Sequence, residues 1–343
     1  GFNTHIYLTF ALPLSLGYES NYEVMDFRLI EEVSFEEVKQ SVDTQFEYWT
    51  NQMCSSLCVI ENAHRALKPL PYVSALFEDC MESGHDLTEG GAKYNGIGPQ
   101  ASGMATCADS LAAIKQLVFD EKRCTGAELL EAVKHNWKGY EKLYALVNSS
   151  KVHHYGNDDD YADELFKFMF ETYCKHIAGR KTPRGGIFPG VYSVNANVAM
   201  GLNTNASVDG RKAGEAISDN MGPVHTDFGS HDINGPTAIV NSLTKVDHSL
   251  ATNGTLMNLR FPQEAVAGIE GRDNLASFIE EYIHKGAMHV QFNIMSAATM
   301  RAAQKKPEDY KDMLVRVAGY SAYFVELGKP LQKDLIQRTE LHF

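Results

Sequence analysis

Residues 313–343 read MLVRVAGYSAYFVELGKPLQKDLIQRTELHF, and within them Arg316-Val317-Ala318-Gly319-Tyr320 sets a glycine between two apolar segments. Taken alone, Gly319 is a loop glycine, free to adopt backbone angles that a Cβ would penalise. The residues before it set the frame. Residues 297–315 read as a helix. Met288-His289-Val290-Gln291-Phe292-Asn293-Ile294 reads as a strand in which His289, Gln291 and Asn293 alternate with apolar neighbours. A helix over about 272–286 precedes that strand.

Further upstream, Ser34 with Glu37 three residues later forms a capping box for a helix over 34–66. Asp109 reads as the cap of a helix beginning at Ser110, and residues 126–148 and 159–179 read as two more helices. Residues 186–262 change character, with the turn pairs Asp209-Gly210, Asn234-Gly235 and Asn253-Gly254. The run Thr237-Ala238-Ile239-Val240 between them reads as a short strand. Helices alternating with short strands point to an α/β architecture, whether barrel or open sheet.

The chain of 343 residues is 44% hydrophobic and carries a formal net charge of −13. That charge argues against nucleic-acid and anionic-membrane partners, which need a basic surface. No apolar run approaches the ~20 residues that span a bilayer. The six cysteines, Cys54, Cys58, Cys80, Cys107, Cys124 and Cys174, form no CxxC pair. They read as free thiols in a reducing cytoplasm. Glu89-Gly90-Gly91 lacks the Lys-Ser/Thr spacing of a phosphate loop and reads as a turn. His153-His154 beside Asp158, Asp159 and Asp160 reads as a solvated loop with carboxylates favouring a helix N-terminus, rather than a metal site. His225 and His231 read as loop histidines.

The Gly319 run resembles the C-terminal signature of the glycyl radical enzymes, the pyruvate formate-lyase-like superfamily. Other segments resemble its dehydratase-like branch: Asp86-Leu87-Thr88-Glu89-Gly90-Gly91, Asp109-Ser110-Leu111-Ala112-Ala113-Ile114-Lys115, Tyr155-Gly156-Asn157-Asp158, Asp209-Gly210-Arg211, Gly235-Pro236-Thr237-Ala238 and the strand around Gln291. The resemblance implies a ten-stranded α/β barrel, of which this chain is the C-terminal half-barrel plus the radical loop. It also implies a division into residues 1–287 and a glycine radical domain over 288–343. Gly319 would store an unpaired electron on its Cα, in a loop supported by Arg316, Val317 and Tyr320; glycine permits the tight loop that would place that Cα deep in a pocket. A radical there is stabilised by the flanking amides when the carbon is flat, which a Cβ would hinder.

Further implications concern partners and reaction. An activating enzyme using S-adenosylmethionine and an iron–sulfur cluster (4Fe–4S) would install the radical; this chain itself would bind no cofactor. Phe188-Pro189-Gly190-Val191-Tyr192-Ser193-Val194 resembles the strand lining the substrate pocket of the diol dehydratases, which maps that pocket to Tyr192 and Val194; ordinary barrel core is the alternative. The family's Gly-Cys-x-Glu loop is absent from this sequence, and none of the six cysteines is placed to replace it. The chain is therefore expected to be the C-terminal portion of a longer protein or half of a split one, inactive alone. It would need the N-terminal half of the barrel and would form a homodimer in the cytoplasm, with a bacterial microcompartment as a further location. The reaction expected is C–O cleavage of a small diol or polyol. Sulfonate C–S, amine C–N, alkylsuccinate and formate acetyltransferase chemistry are alternatives, as is a radical spare part for a larger partner. Arg184 is the one arginine near enough in sequence to suggest a sulfonate contact.

Overall fold

The computed structural model describes residues 33–192 and 194–343. Helix α1 (Phe35–Leu67) begins where the capping box places it. The Ser34 hydroxyl accepts from the Glu37 N–H at 3.3 Å, and the Glu37 carboxylate accepts from the Ser34 N–H at 2.8 Å. These two bonds satisfy donors that a helix start leaves open. Val38, Val42, Phe46, Met53 and Leu57 then bury one stripe of the helix.

Strand β1 (Gly96–Ile97) leads into α2 (Met104–Ile114), every residue of which is buried. A helix that is apolar all round belongs in the middle of a protein. Asp109 is therefore not a cap: the helix starts five residues earlier, after Gly103 at φ +82°, and Asp109 lies inside it. The small residues Ala105, Thr106, Cys107 and Ala108 carry the helical pattern back to Met104. The helix expected over 126–148 is two, α3 (Gly126–Lys134) and α4 (Glu141–Val147). Asn136 and Trp137 break it at φ +53° and +66°. Burial of the Trp137 indole, whose N–H donates to the Arg211 carbonyl at 3.4 Å, overrides local helix propensity. Helix α5 (Asp160–Ile177) is capped by Asp159 and packs on both α2 and α1.

The strands form a parallel series in chain order. β1 pairs with β2 (Gly186–Ile187), and the bridge Gln100↔Gly190 prolongs the contact. The bridge Val191↔Thr255 joins that segment to β3 (Met257–Phe261), and β3 pairs from Met257↔Val290 to Phe261↔Ile294 with β4 (Val290–Ile294). Between β2 and β3 lie α6 (Ala196–Gly201) and α7 (Gly235–Leu243); α8 (Gly268–His284) connects β3 to β4. The run Thr237–Val240 belongs to α7 rather than to a strand. Pro236 in the first turn is preset for a helix, and Ala238, Ile239 and Val240 are buried on it.

After β4, α9 (Ala297–Lys305) stops ahead of Pro307, well short of the expected residue 315, because proline cannot continue the hydrogen-bond ladder. β5 (Leu314–Arg316) and β6 (Ser321–Tyr323) then pair as an antiparallel hairpin, and α10 (Lys329–Gln337) follows. Residues 300–336 have a small core of their own, built from Met300, Ala303, Val315, Val317, Phe324, Leu335 and Ile336. Among the described residues no helix is long and apolar enough to cross a membrane.

Candidate functional site

Gly319 sits at the tip of the β5–β6 hairpin with φ +80°, a conformation that L side chains avoid. The turn is closed by the Val317 N–H donating to the Tyr320 carbonyl at 2.9 Å. Space is not what requires glycine: a Cβ built there meets no atom within 4 Å. Gly319 and Tyr320 are exposed, so the expected deep pocket around this Cα is not formed by the described residues.

The loop is gripped from two sides. Gln291 of β4 is buried, and its Oε1 accepts from the Gly319 N–H at 2.8 Å and from Arg316 Nε at 2.9 Å. Opposite, Arg338 donates to the Val317 carbonyl at 2.9 Å and to Asp334 at 3.0 Å, with Asp219 at 3.6 Å. Burial opposes the charge on Arg338, but Asp334 and Asp219 outweigh it and hold its pKa up. Asn197 in turn donates to Asp334 at 2.9 Å, and Asn258 to Asp219 at 2.7 Å. Neither Gln291 nor Arg338 was singled out for a role in the sequence. The available signal for Gln291 was a polar residue on the buried face of a strand.

Tyr192 and Val194 lie at the end of the β2 segment, beside this loop: neighbouring Asn195 donates to the Tyr320 hydroxyl at 3.1 Å. The Tyr192 N–H is held by Gln100 Oε1 at 3.1 Å. Val194 has φ +59°, a strained setting for a β-branched residue, and strain of that kind concentrates at functional sites. Arg184 does not reach this region. It is spent elsewhere, donating to the Gly96 carbonyl at 2.8 Å and lying 3.8 Å from Glu61, which also accepts from its N–H at 3.2 Å.

The histidines sort differently from the sequence expectation. His153 is half-exposed, paired with Asp159 at 2.5 Å and stacked on Tyr161. His154 is buried instead, 3.5 Å from Asp109, its ring tilted against that of His231 at 3.9 Å. His231 is buried too, bonded through Nδ1 to Asp109 at 2.9 Å. Asp109, His154 and His231 lie within 4.8 Å of one another, close enough to hold a metal ion in principle. Both carboxylate oxygens already meet protein groups, however: Oδ1 accepts the Tyr155 N–H at 2.8 Å and Oδ2 faces His231. Ser110 accepts the Asp209 N–H at 3.1 Å, and Asn157 donates to the His231 carbonyl at 2.9 Å. Three of the sequence motifs thus meet in one buried polar knot. His225 lies 3.3 Å from Asp232, against Thr339.

All six cysteines are free. Burial pushes the Cys107 and Cys174 thiols up to about 12, which keeps them protonated and unreactive.

Comparison with known proteins agrees with this geometry. The family model for pyruvate formate lyase-like proteins matches residues 14–201, and that for the glycine radical matches residues 221–325, which include Gly319. The chain is 86% identical over 311 residues to (2S)-3-sulfopropanediol dehydratase of Klebsiella oxytoca, covering 90% of this chain and 38% of that protein. It is 39% identical over 311 residues to trans-4-hydroxy-L-proline dehydratase of Clostridioides difficile, covering 90% of this chain and 39% of the relative. The glycerol-bound B12-independent glycerol dehydratase of Clostridium butyricum superposes with a TM-score of 0.90 at 38% identity, over 100% of this chain and 43% of that one. The parallel strand series is accordingly part of a glycyl radical enzyme barrel. With both family models matched in order along it, the chain belongs to the pyruvate formate lyase-like glycyl radical enzymes.

Proposed function

We propose that this chain forms part of a glycyl radical dehydratase acting on a small vicinal diol that carries a sulfonate, with Gly319 as the site of radical storage. The observation that carries the substrate class is the 86% identity to a sulfopropanediol dehydratase over 90% of the chain. Gly319 supports its role by position: a solvent-accessible Cα on a turn whose backbone is fixed by Gln291 and Arg338.

In this reading a radical S-adenosylmethionine activating enzyme removes one hydrogen atom from the Gly319 Cα. The stored radical passes to a cysteine that is not among the six here, and the resulting thiyl takes a hydrogen atom from the diol. Loss of the adjacent hydroxyl as water, with a proton supplied by a carboxyl group, leaves a carbonyl product once the hydrogen atom returns. Tyr192 and Val194 line the pocket, close to the radical loop. Residues 288–343 act as the radical unit, and within them residues 300–336 share a small core of their own.

The rest of the barrel is the partner this reading needs. Leu67, Tyr72, Leu76, Met81 and Tyr94 are all at least 72% exposed, an apolar belt suited to cover by further protein. The assembled enzyme is a homodimer of the cytoplasm or of a microcompartment within it.

The test is anaerobic activation of the full-length protein followed by incubation with (2S)-3-sulfopropanediol. A doublet radical signal and release of the sulfonated aldehyde are expected. A radical signal with turnover of glycerol but not of the sulfonated diol would remove the sulfonate from the proposal.

A further inference from the structure

Gln291 meets the one backbone N–H that bears directly on the chemistry of Gly319. Its side chain is 7% exposed on β4, whose side chains alternate between a polar and an apolar face. The carbonyl oxygen accepts two hydrogen bonds, 2.8 Å from the Gly319 nitrogen and 2.9 Å from Arg316 Nε. Two donors facing one atom fix the orientation of the amide, since its NH2 end has nothing to offer them. Both acceptor sites of the oxygen are thereby used. The NH2 end pairs with His289 Nε2 at 3.4 Å.

We propose that Gln291 is a positioning residue that tunes the Gly319 radical, and this rests on the radical reading given above. The effect is electronic as well as steric. A Cα radical gains stability when the adjacent nitrogen donates electron density and the adjacent carbonyl withdraws it. An acceptor on the N–H makes that nitrogen a better donor, so spin moves off the Cα onto the amide. The same oxygen ties Arg316 to the strand wall, so the loop and the radical amide share one anchor. Gly319 has no side chain through which it could be held; its N–H is the handle that the fold uses. The bond also holds φ at +80°, the setting from which the Cα must flatten when its hydrogen atom leaves.

The experiment is electron paramagnetic resonance of the full-length protein after anaerobic activation, comparing wild type with Gln291→Leu, Gln291→Glu and Arg316→Ala. Gln291→Leu keeps the bulk and removes the acceptor. It is expected to lower spins per protomer several-fold and to widen the doublet from the remaining Cα hydrogen, because more spin stays on carbon. Gln291→Glu keeps the acceptor and is expected to restore the yield with a doublet no wider than wild type. The width of the residual signal separates tuning from simple misfolding, which lowers yield without changing width. An unchanged yield and width in Gln291→Leu would overturn the proposal. So would an unchanged width in Gln291→Leu together with an equal loss of yield in Arg316→Ala, since loop anchoring would then explain everything. A wild type that never yields a radical would sink the radical reading itself, and this proposal with it.

Discussion

Arg338 reaches from the end of α10 to the Val317 carbonyl at 2.9 Å, two residues from Gly319, while the same guanidinium holds Asp334 at 3.0 Å. A buried arginine that donates to a backbone oxygen and to Asp334, with Asp219 as a second ion-pair partner at 3.6 Å, couples the last helix to the glycine turn. Removing one partner of such a network leaves the others charged and unpaired, which costs about 3–5 kcal/mol. Arg338→Met is therefore expected to lower the melting temperature sharply and to expose residues 314–323 to hydrogen exchange. A loss under about 1 kcal/mol would show that Arg338 contributes no more than an exposed ion pair does.

Gly319→Ala should behave in the opposite way. The new methyl group meets no neighbour within 4 Å, so the cost is confined to the left-handed backbone, about 1–2 kcal/mol. The variant is expected to fold and to keep its hairpin, yet give no glycyl radical signal after activation. A wild-type signal from this variant would assign the radical elsewhere.

Thiol labelling offers a check on the cysteines. Cys80, Cys107, Cys124 and Cys174 are buried, whereas Cys54 and Cys58 are half-buried on α1. Brief alkylation of the native protein should mark Cys54 and Cys58 alone, with the other four reacting only after denaturation. Burial raises the Cys54 thiol as well, so its labelling should be slow. Rapid modification of Cys107 would reopen it as a redox-active residue.

The histidine knot predicts an acid-sensitive fold. Burial, then the neighbouring His154, lowers the pKa of His231 below its ordinary value, against the opposing pull of Asp109 and Asp209. In the unfolded chain the ring titrates near its usual 6.5. Below that pH the unfolded state binds the extra proton first. Stability is therefore complete above about pH 6.5 and falls as the pH drops toward the folded-state pKa, by about 1.4 kcal/mol per pH unit for each proton. His248, lowered chiefly by burial, acts in the same direction. Melting temperatures at pH 7.5 and 5.5 should differ in this sense, and His231→Gln should flatten the slope. An equal slope in the variant would move the effect to other groups.

What was legible in the sequence divides along a physical line. Local signals suffice where local chemistry decides: the Ser34–Glu37 box, the carboxylates of 158–160 at a helix N-terminus and the alternation around Gln291. They failed where tertiary burial decides. Trp137 breaks a helix because its indole is more stable inside, and Asp109 sits within a helix because partners distant in sequence satisfy it. The glycine turn was evident from its motif. Its anchors were not, because Gln291, Arg338 and Asn195 reach Gly319, Val317 and Tyr320 across 21 to 125 residues, and single-residue patterns do not record such pairings.

The knot around Asp109 has a wider consequence. The segments at 109–110, 155–157 and 209, which resemble the dehydratase-like branch in sequence, meet at a buried carboxylate rather than at the glycine turn. What they build there is a scaffold closed around one internal carboxylate. It carries no information about which molecule the enzyme consumes. Two such proteins could share every one of these letters and differ in substrate, so the discriminating positions are to be sought near the hairpin tip and around Tyr192, Val194 and Asn195.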